Sequence, residues 1–194
     1  MSIFHSLVIP TRNRQKYIID AVTYYLRGID NLGEVIVADN SDNRNLILDY
    51  LKPYLYDRRL KILASPTKTL SMRDNWERAI NVTQGEWVSF IGDDDILSPD
   101  LVLFIRSMVN NNPDATDFDS LKWRTINFSW KGVDVDGRRN NTTIPIEGDK
   151  VRIFESRKYL DNLLRWNLPE RTMGSGPSIY HGVWKRSLIN KVRD

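Results

Sequence analysis

With 194 residues, 41% of them hydrophobic and 27% charged, the chain has the apolar mass to bury a core. That excludes a disordered chain and points to one domain carrying at most a small appended lobe. No cysteine is present, so disulfides, iron–sulfur clusters and thiolate zinc sites are excluded, and a reducing compartment is permitted. The net charge of +3 is scattered in short clusters, such as Arg12–Lys16 and Arg138–Arg139, that read as solvated loop charges. A nucleic-acid reader would gather them on one element, so no such partner is expected.

The longest apolar runs are strand-length, far short of the roughly 20 residues of a membrane helix. Residues 1–10 lack a basic leader and run straight into an apolar strand, so no secretory signal is expected.

In chain order, Ser6–Pro10, Glu34–Asp39, Leu60–Ala64 and Glu86–Gly92 read as strands. They are almost wholly apolar, as strands covered on both faces should be. Between them Ile18, Ala21, Val22, Tyr25 and Leu26 recur at helical spacing; Leu46, Leu48, Leu51 and Leu55 do so less regularly, and Trp76, Ala79 and Ile80 follow. Ser71 with Asp74 three residues on has the form of a capping box, and Ser98-Pro99 opens a helix through Leu101, Val102, Ile105 and Met108. Alternation of this kind predicts a doubly wound, mainly parallel α/β sheet over residues 1–110.

Beyond residue 110 the character changes. Leu121–Trp130 is rich in aromatic and β-branched residues, and turn formers follow in Gly132–Thr143. Residues 111–194 are therefore expected to form a small strand-rich lobe of the same domain. A helix is expected over about Glu155–Trp166, then the loop Gly174–Pro177, a short strand near Ile179, and a helix opening at Lys185. Trp123, Trp130 and Trp166 fit a core better than a sugar platform, and His181 is more simply a packed or solvent-facing side chain than a site residue.

In open α/β sheets ligands bind beyond the carboxyl ends of the strands, which here carry Thr11-Arg12-Asn13, Asp39-Asn40-Ser41-Asp42 and Asp93-Asp94-Asp95. Three carboxylates crowded at a strand end suit a hard cation such as Mg²⁺ or Mn²⁺ held with substrate phosphates. They equally suit a solvated acidic turn at a helix start. Asp39 can read a nucleotide base or ribose, or close an Asx turn with its neighbours.

Pro10-Thr11-Arg12-Asn13-Arg14, Val37-Ala38-Asp39-Asn40-Ser41, and Gly85-Glu86-Trp87-Val88 leading into Phe90-Ile91-Gly92-Asp93-Asp94-Asp95 and Pro99-Asp100 together resemble family 2 glycosyltransferases of the GT-A fold. The resemblance is close over Phe4–Met108 and loose beyond it. It implies a nucleoside-diphosphate-sugar donor, UDP-linked by family habit, and a glycan or lipid-linked hydroxyl acceptor. It also implies a divalent cation, Mn²⁺ or Mg²⁺, an inverting reaction, and a cytoplasmic chain or one peripheral to the inner face of a membrane. Carried over by position, Pro10, Thr11, Asn13, Asp39, Ser71 and Asp93 contact the donor, and Asp94 and Asp95 the metal. Gly92 stands where many relatives have an acidic residue, which leaves open which two of the three aspartates ligate.

An inverting transfer needs a general base. In the family it tends to follow the segment matched by Gly182–Ser187, so it is expected beyond Asp194, itself a poor base at a fraying terminus. Two rivals remain: a sugar nucleotidyltransferase, disfavoured because the first loop has no glycine to cradle phosphate, and a non-catalytic nucleotide-sugar-binding module. A dinucleotide oxidoreductase is excluded by the lack of Gly-x-Gly-x-x-Gly after a strand.

Overall fold

The computed structural model describes residues 3–43, 45–111, 119–123, 127–128, 142–143 and 182–193. The expected helix over 155–166, the 174–177 loop, Ile179, His181, Trp130, Trp166 and Asp194 lie outside them. The chain divides into two compact units, Met1–Lys122 with Ile179–Asp194, and Trp123–Ser178.

The first unit is built on six strands: β1 (His5–Thr11), β2 (Gly33–Asp39), β3 (Leu60–Leu63), β4 (Trp87–Phe90), β5 (Ser120–Lys122) and, after two strands of the second unit, β8 (Gly182–Lys185). Their order is β3-β2-β1-β4-β8-β5. β1 pairs in parallel with β2 and β4, and β2 with β3, while β8 runs antiparallel to β4 and β5. The sheet is mainly parallel, and both strands added from the 111–194 half join it at one side. In the second unit β6 (Asn127–Phe128) and β7 (Thr142–Thr143) form an antiparallel pair.

The helices are α1 (Ile18–Ile29), α2 (Leu46–Tyr50), α3 (Met72–Asn81), α4 (Pro99–Asn111) and α5 (Arg186–Arg193). The weak periodicity of Leu46–Leu55 has a physical cause. α2 stops at Tyr50 and a 3-10 turn, Lys52–Tyr54, takes over with Pro53 in its first turn, where the missing N–H costs nothing. Among the described residues the last strand is Gly182–Lys185, held by pairing with β4 and β5 across the sheet.

Every residue of β2 and all but Pro10 of β1 are buried, which explains their unbroken apolar reading. Val8, Ile36, Ala38, Val88 and Phe90 pack with Ala79 of α3, and Leu63, Ile80, Val82 and Ile189 close over them. The alternate residues Leu7, Ile9, Val35 and Val37 are fully buried on the opposite face, as are Ile18, Val22, Tyr25 and Ile29 of α1. α4 packs against α1. A Cβ at Gly28 would lie 2.5 Å from Pro99 Cγ, so glycine is what lets these two helices touch.

Candidate functional site

β1 has β2 on one side and β4 on the other, so chain order reverses there and the loops after these three strands meet at their carboxyl ends. Pro10 lies past the last β1–β4 pair, Val8 with Phe90, where a residue without an N–H is tolerated. Thr11 then donates its hydroxyl to Asp93 Oδ2 at 2.8 Å, tying the first loop to the acidic turn. Asn13 adopts a left-handed backbone, φ 57°, which asparagine accepts more readily than most residues. That turn aims its N–H at Ser41 Oγ, 2.8 Å, while its side-chain amide donates to Asp42 Oδ2 (2.8 Å) and accepts from Asp42 N (2.9 Å). The Asn13 side chain thus clamps the first loop to the second.

Asp39 is wholly buried. Oδ1 closes the Asx turn, accepting from Ser41 N at 3.1 Å and Ser41 Oγ at 2.5 Å, whereas Oδ2 has no hydrogen-bond partner. Burial pushes the carboxyl above the usual range, against the Ser41 hydrogen bonds and the nearby Arg78 charge. The Asx turn and the free oxygen coexist on one side chain. Its backbone is held from below: Arg78 donates to the Asp39 and Ala64 carbonyls, Arg78 Nε donates to Asn75 Oδ1, and Asn75 donates to the Ala38 carbonyl. Asn40 exchanges a pair of hydrogen bonds with the backbone of Leu70, which brings in the loop before α3. Ser71 caps α3, its hydroxyl accepting from Asp74 N at 3.1 Å and donating to Asp74 Oδ2 at 2.7 Å.

At the end of β4 the three aspartates are used differently. Asp93 is buried, its carboxyl raised chiefly by that burial and held down by the Thr11 hydrogen bond and the Arg14 charge. Asp94 is half-exposed. Asp95 turns back to accept from Gly92 N at 3.0 Å, and a Cβ at Gly92 would lie 2.9 Å from that same carboxylate. Glycine here leaves the Asp95 carboxylate room to close the turn.

Arg14 is the residue the sequence reading missed. Its Nε lies 3.2 Å from Asp93 Oδ1 and it donates to Asp94 Oδ2, so one guanidinium spans both carboxylates. The Arg12–Lys16 cluster reads as solvated charge, and two members fit: Arg12 is a loose 3.9 Å from Asp42, and Lys16 lies over the Tyr17 ring. Only the 80-residue separation between Arg14 and Asp94 conceals the third, and no local pattern carries it.

Among the described residues no three acidic or histidine side chains converge to hold a metal alone. The donor set nevertheless fits a hard cation whose shell substrate oxygens complete. Asp93 and Asp94 already share one positive group, and oxygen is the donor such ions prefer.

A mainly parallel sheet with three polar loops joined at its carboxyl edge defines the ligand-binding, doubly wound α/β class. The sequence matches the glycosyl transferase family 2 model over residues 6–169, and the chain belongs to that family. It is 27% identical to an uncharacterised glycosyltransferase of Mycoplasma genitalium over 132 residues, 65% of this chain and 44% of the relative. Its structure is similar to that of S. aureus TarS 1-349 in complex with UDP-GlcNAc, at TM-score 0.59 and 19% identity, covering 98% of this chain and 48% of the other. It is also similar to the Pyrobaculum calidifontis mannosyltransferase PcManGT in complex with GDP-Man and Mn²⁺, at TM-score 0.50 and 14% identity, covering 64% and 36%. These likenesses are of fold, GT-A. The chain spans about half the length of the Mycoplasma relative and of TarS 1-349. No helix among the described residues is long and apolar enough to cross a membrane.

Proposed function

We propose that this site binds a nucleoside-diphosphate sugar, UDP-linked, together with Mn²⁺ or Mg²⁺, and that the whole protein transfers the sugar with inversion to a glycan or lipid-linked hydroxyl. The observation that carries the reading is Asp39 Oδ2, a buried carboxylate oxygen left without a partner at the switch point of the sheet. Such an oxygen is costly to bury unpaired and is well placed to accept an N–H from a base.

In this reading Pro10, Thr11 and Asn13 shape the loop against the nucleotide, and Asp93, fixed by Thr11, meets the ribose. Ser71 adds a base contact while it caps α3. Asp94 holds the cation through the half-exposed carboxylate that Arg14 now covers, joined by Asp93 Oδ1, the other oxygen on that guanidinium, while Asp95 stays on Gly92 N and closes the turn. A bound cation would supply neutralisation of the charge that grows on the departing diphosphate. Asp39 and Asp93 are buried, so their hydrogen bonds act in a low-dielectric setting. An inverting transfer also needs a general base to take the acceptor proton, a role given to none of the residues above.

The experiment is thermal unfolding with UDP, with and without Mn²⁺. UDP is expected to raise the melting temperature only in the presence of the ion, as linkage requires of a ligand that binds the folded chain. Asp94→Ala is expected to remove the ion-dependent part. A full shift retained in that variant would refute the metal assignment.

A further inference from the structure

We propose that Arg14 is the resident counter-cation of the Asp93–Asp94 pair, and that it releases these carboxylates to a divalent cation only when a diphosphate is there to receive the guanidinium. This inference rests on the nucleotide-sugar reading above.

The geometry makes Arg14 and a metal ion competitors. Nε faces Asp93 Oδ1 at 3.2 Å while the other arm donates to Asp94, so the guanidinium lies along the two oxygens a cation would take. The two ends of this contact differ in freedom. The Asp93 side chain is only 8% exposed and is fastened by Thr11, whereas the Arg14 and Asp94 side chains are 48% and 46% exposed. Arg14 is therefore free to leave while Asp93 stays. The guanidinium already lies 5.3 Å from the Tyr17 ring centroid while it holds the carboxylates, a contact with no carboxylate in it.

A guanidinium suits diphosphate oxygens as well as carboxylates, because its planar fork makes paired hydrogen bonds to either. A metal ion arriving alone must break the Arg14 contacts and leave that charge uncompensated beside its own. Arriving with a diphosphate, it exchanges partners: the ion takes the carboxylates and Arg14 takes phosphate. Cation and nucleotide are thereby coupled through one side chain, and by linkage each raises the other's affinity by the same factor. Arg14 acts here as a positioning and specificity residue; a nucleoside without phosphates would not draw it away.

The test is titration of Mn²⁺ by electron paramagnetic resonance into the wild-type chain, Arg14→Gln and Arg14→Lys, each with and without UDP. Without UDP, Arg14→Gln is expected to bind Mn²⁺ about tenfold more tightly than wild type, a typical coupling between two sites. UDP should then raise Mn²⁺ affinity strongly in wild type and much less in Arg14→Gln. Arg14→Lys, which keeps the charge and loses the fork, should fall between them and serves as the test should the glutamine variant fail to fold. Equal Mn²⁺ affinities for the variants and wild type without UDP, with UDP still strengthening all equally, would overturn the role of Arg14 alone. Failure of every protein to bind Mn²⁺ even with UDP would overturn the nucleotide-sugar reading together with it.

Discussion

At the amino edge of the sheet, His5 shares hydrogen bonds with Tyr25 (2.5 Å) and Ser89 (2.9 Å). Glu34 Oε1 accepts from Ser6 Oγ (2.7 Å) and Gln84 N (2.6 Å), and Oε2 meets the Lys61 ammonium at 2.7 Å. At the carboxyl edge Asp39 is just as deeply buried, yet one of its oxygens faces nothing, and Asp94 is left half in solvent under a single arginine. The titratable groups His5 and Glu34 thus have a partner at every polar atom, Glu34 Oε2 through the Lys61 ion pair alone, although the Trp87 indole N–H at that edge has no hydrogen-bond partner; Asp39 at the other edge keeps one oxygen with neither hydrogen bond nor ion pair. A buried polar group gains little by being paired and loses much by being unpaired, so the paired His5 and Glu34 serve the sheet itself, and in the proposed function the spare oxygen of Asp39 serves the nucleotide.

The largest expected effect is at the amino edge. Lys61→Met strands the Glu34 carboxylate in the interior, and a broken buried pair costs about 3 kcal/mol, here toward the lower side because Lys61 is partly exposed. Denaturant unfolding should show that loss with nucleotide binding of the surviving folded protein intact. A change below about 0.5 kcal/mol would mean that Glu34 is held by Ser6 and Gln84 without need of the ammonium.

Asp39→Asn should behave oppositely. Burial already disfavours the charged form of Asp39, so neutralising it is expected to leave the melting temperature unchanged or higher. UDP affinity, measured by calorimetry, should fall about ten- to a hundredfold, the usual worth of a hydrogen bond to a charged group. Full binding with a lowered melting temperature would make Asp39 a structural residue and erase the contrast between the edges.

The pH dependence sharpens it further. Burial lowers the His5 pKa from 6.5 to about 3, so the folded chain keeps it neutral where the unfolded chain takes up a proton. Above pH 6.5 both states are neutral and the residue contributes no pH dependence. As pH falls from 6.5 toward 3, stability drops by about 1.4 kcal/mol per unit from this group. The difference in unfolding free energy between wild type and His5→Gln should narrow at that rate on acidification; a constant difference would show His5 to be charged in the fold.

Much of the scaffold was legible because it is local or strictly periodic. The four parallel strands, α1, and the capping box at Ser71 and Asp74 are written in neighbouring residues, and strand ends alone foretold that Thr11, Asp39 and Asp93 would lie together. What escaped depends on partners far along the chain. β8 is four residues long and exists by pairing with β4 and β5, and the placement of Arg14 on Asp93 and Asp94 follows from Asn13 turning left-handed and being clamped by Ser41 and Asp42. A charged loop cluster carries no mark of which member turns inward.

The smallest effect separates two uses of one hydroxyl. Ser71→Ala removes the acceptor for Asp74 N and should cost about 1 kcal/mol of stability, the usual worth of a helix cap. If the hydroxyl also touches the donor, UDP affinity must fall in the same variant by more than the cap alone explains, and Ser71→Asn, whose amide offers an acceptor to Asp74 N and a donor to Asp74 Oδ2, should recover stability without recovering affinity. A Ser71→Asn chain that regains both would make Ser71 a cap whose only task is to start α3. The loop that Asn40 pins through Leu70 would then support the open edge through its backbone alone.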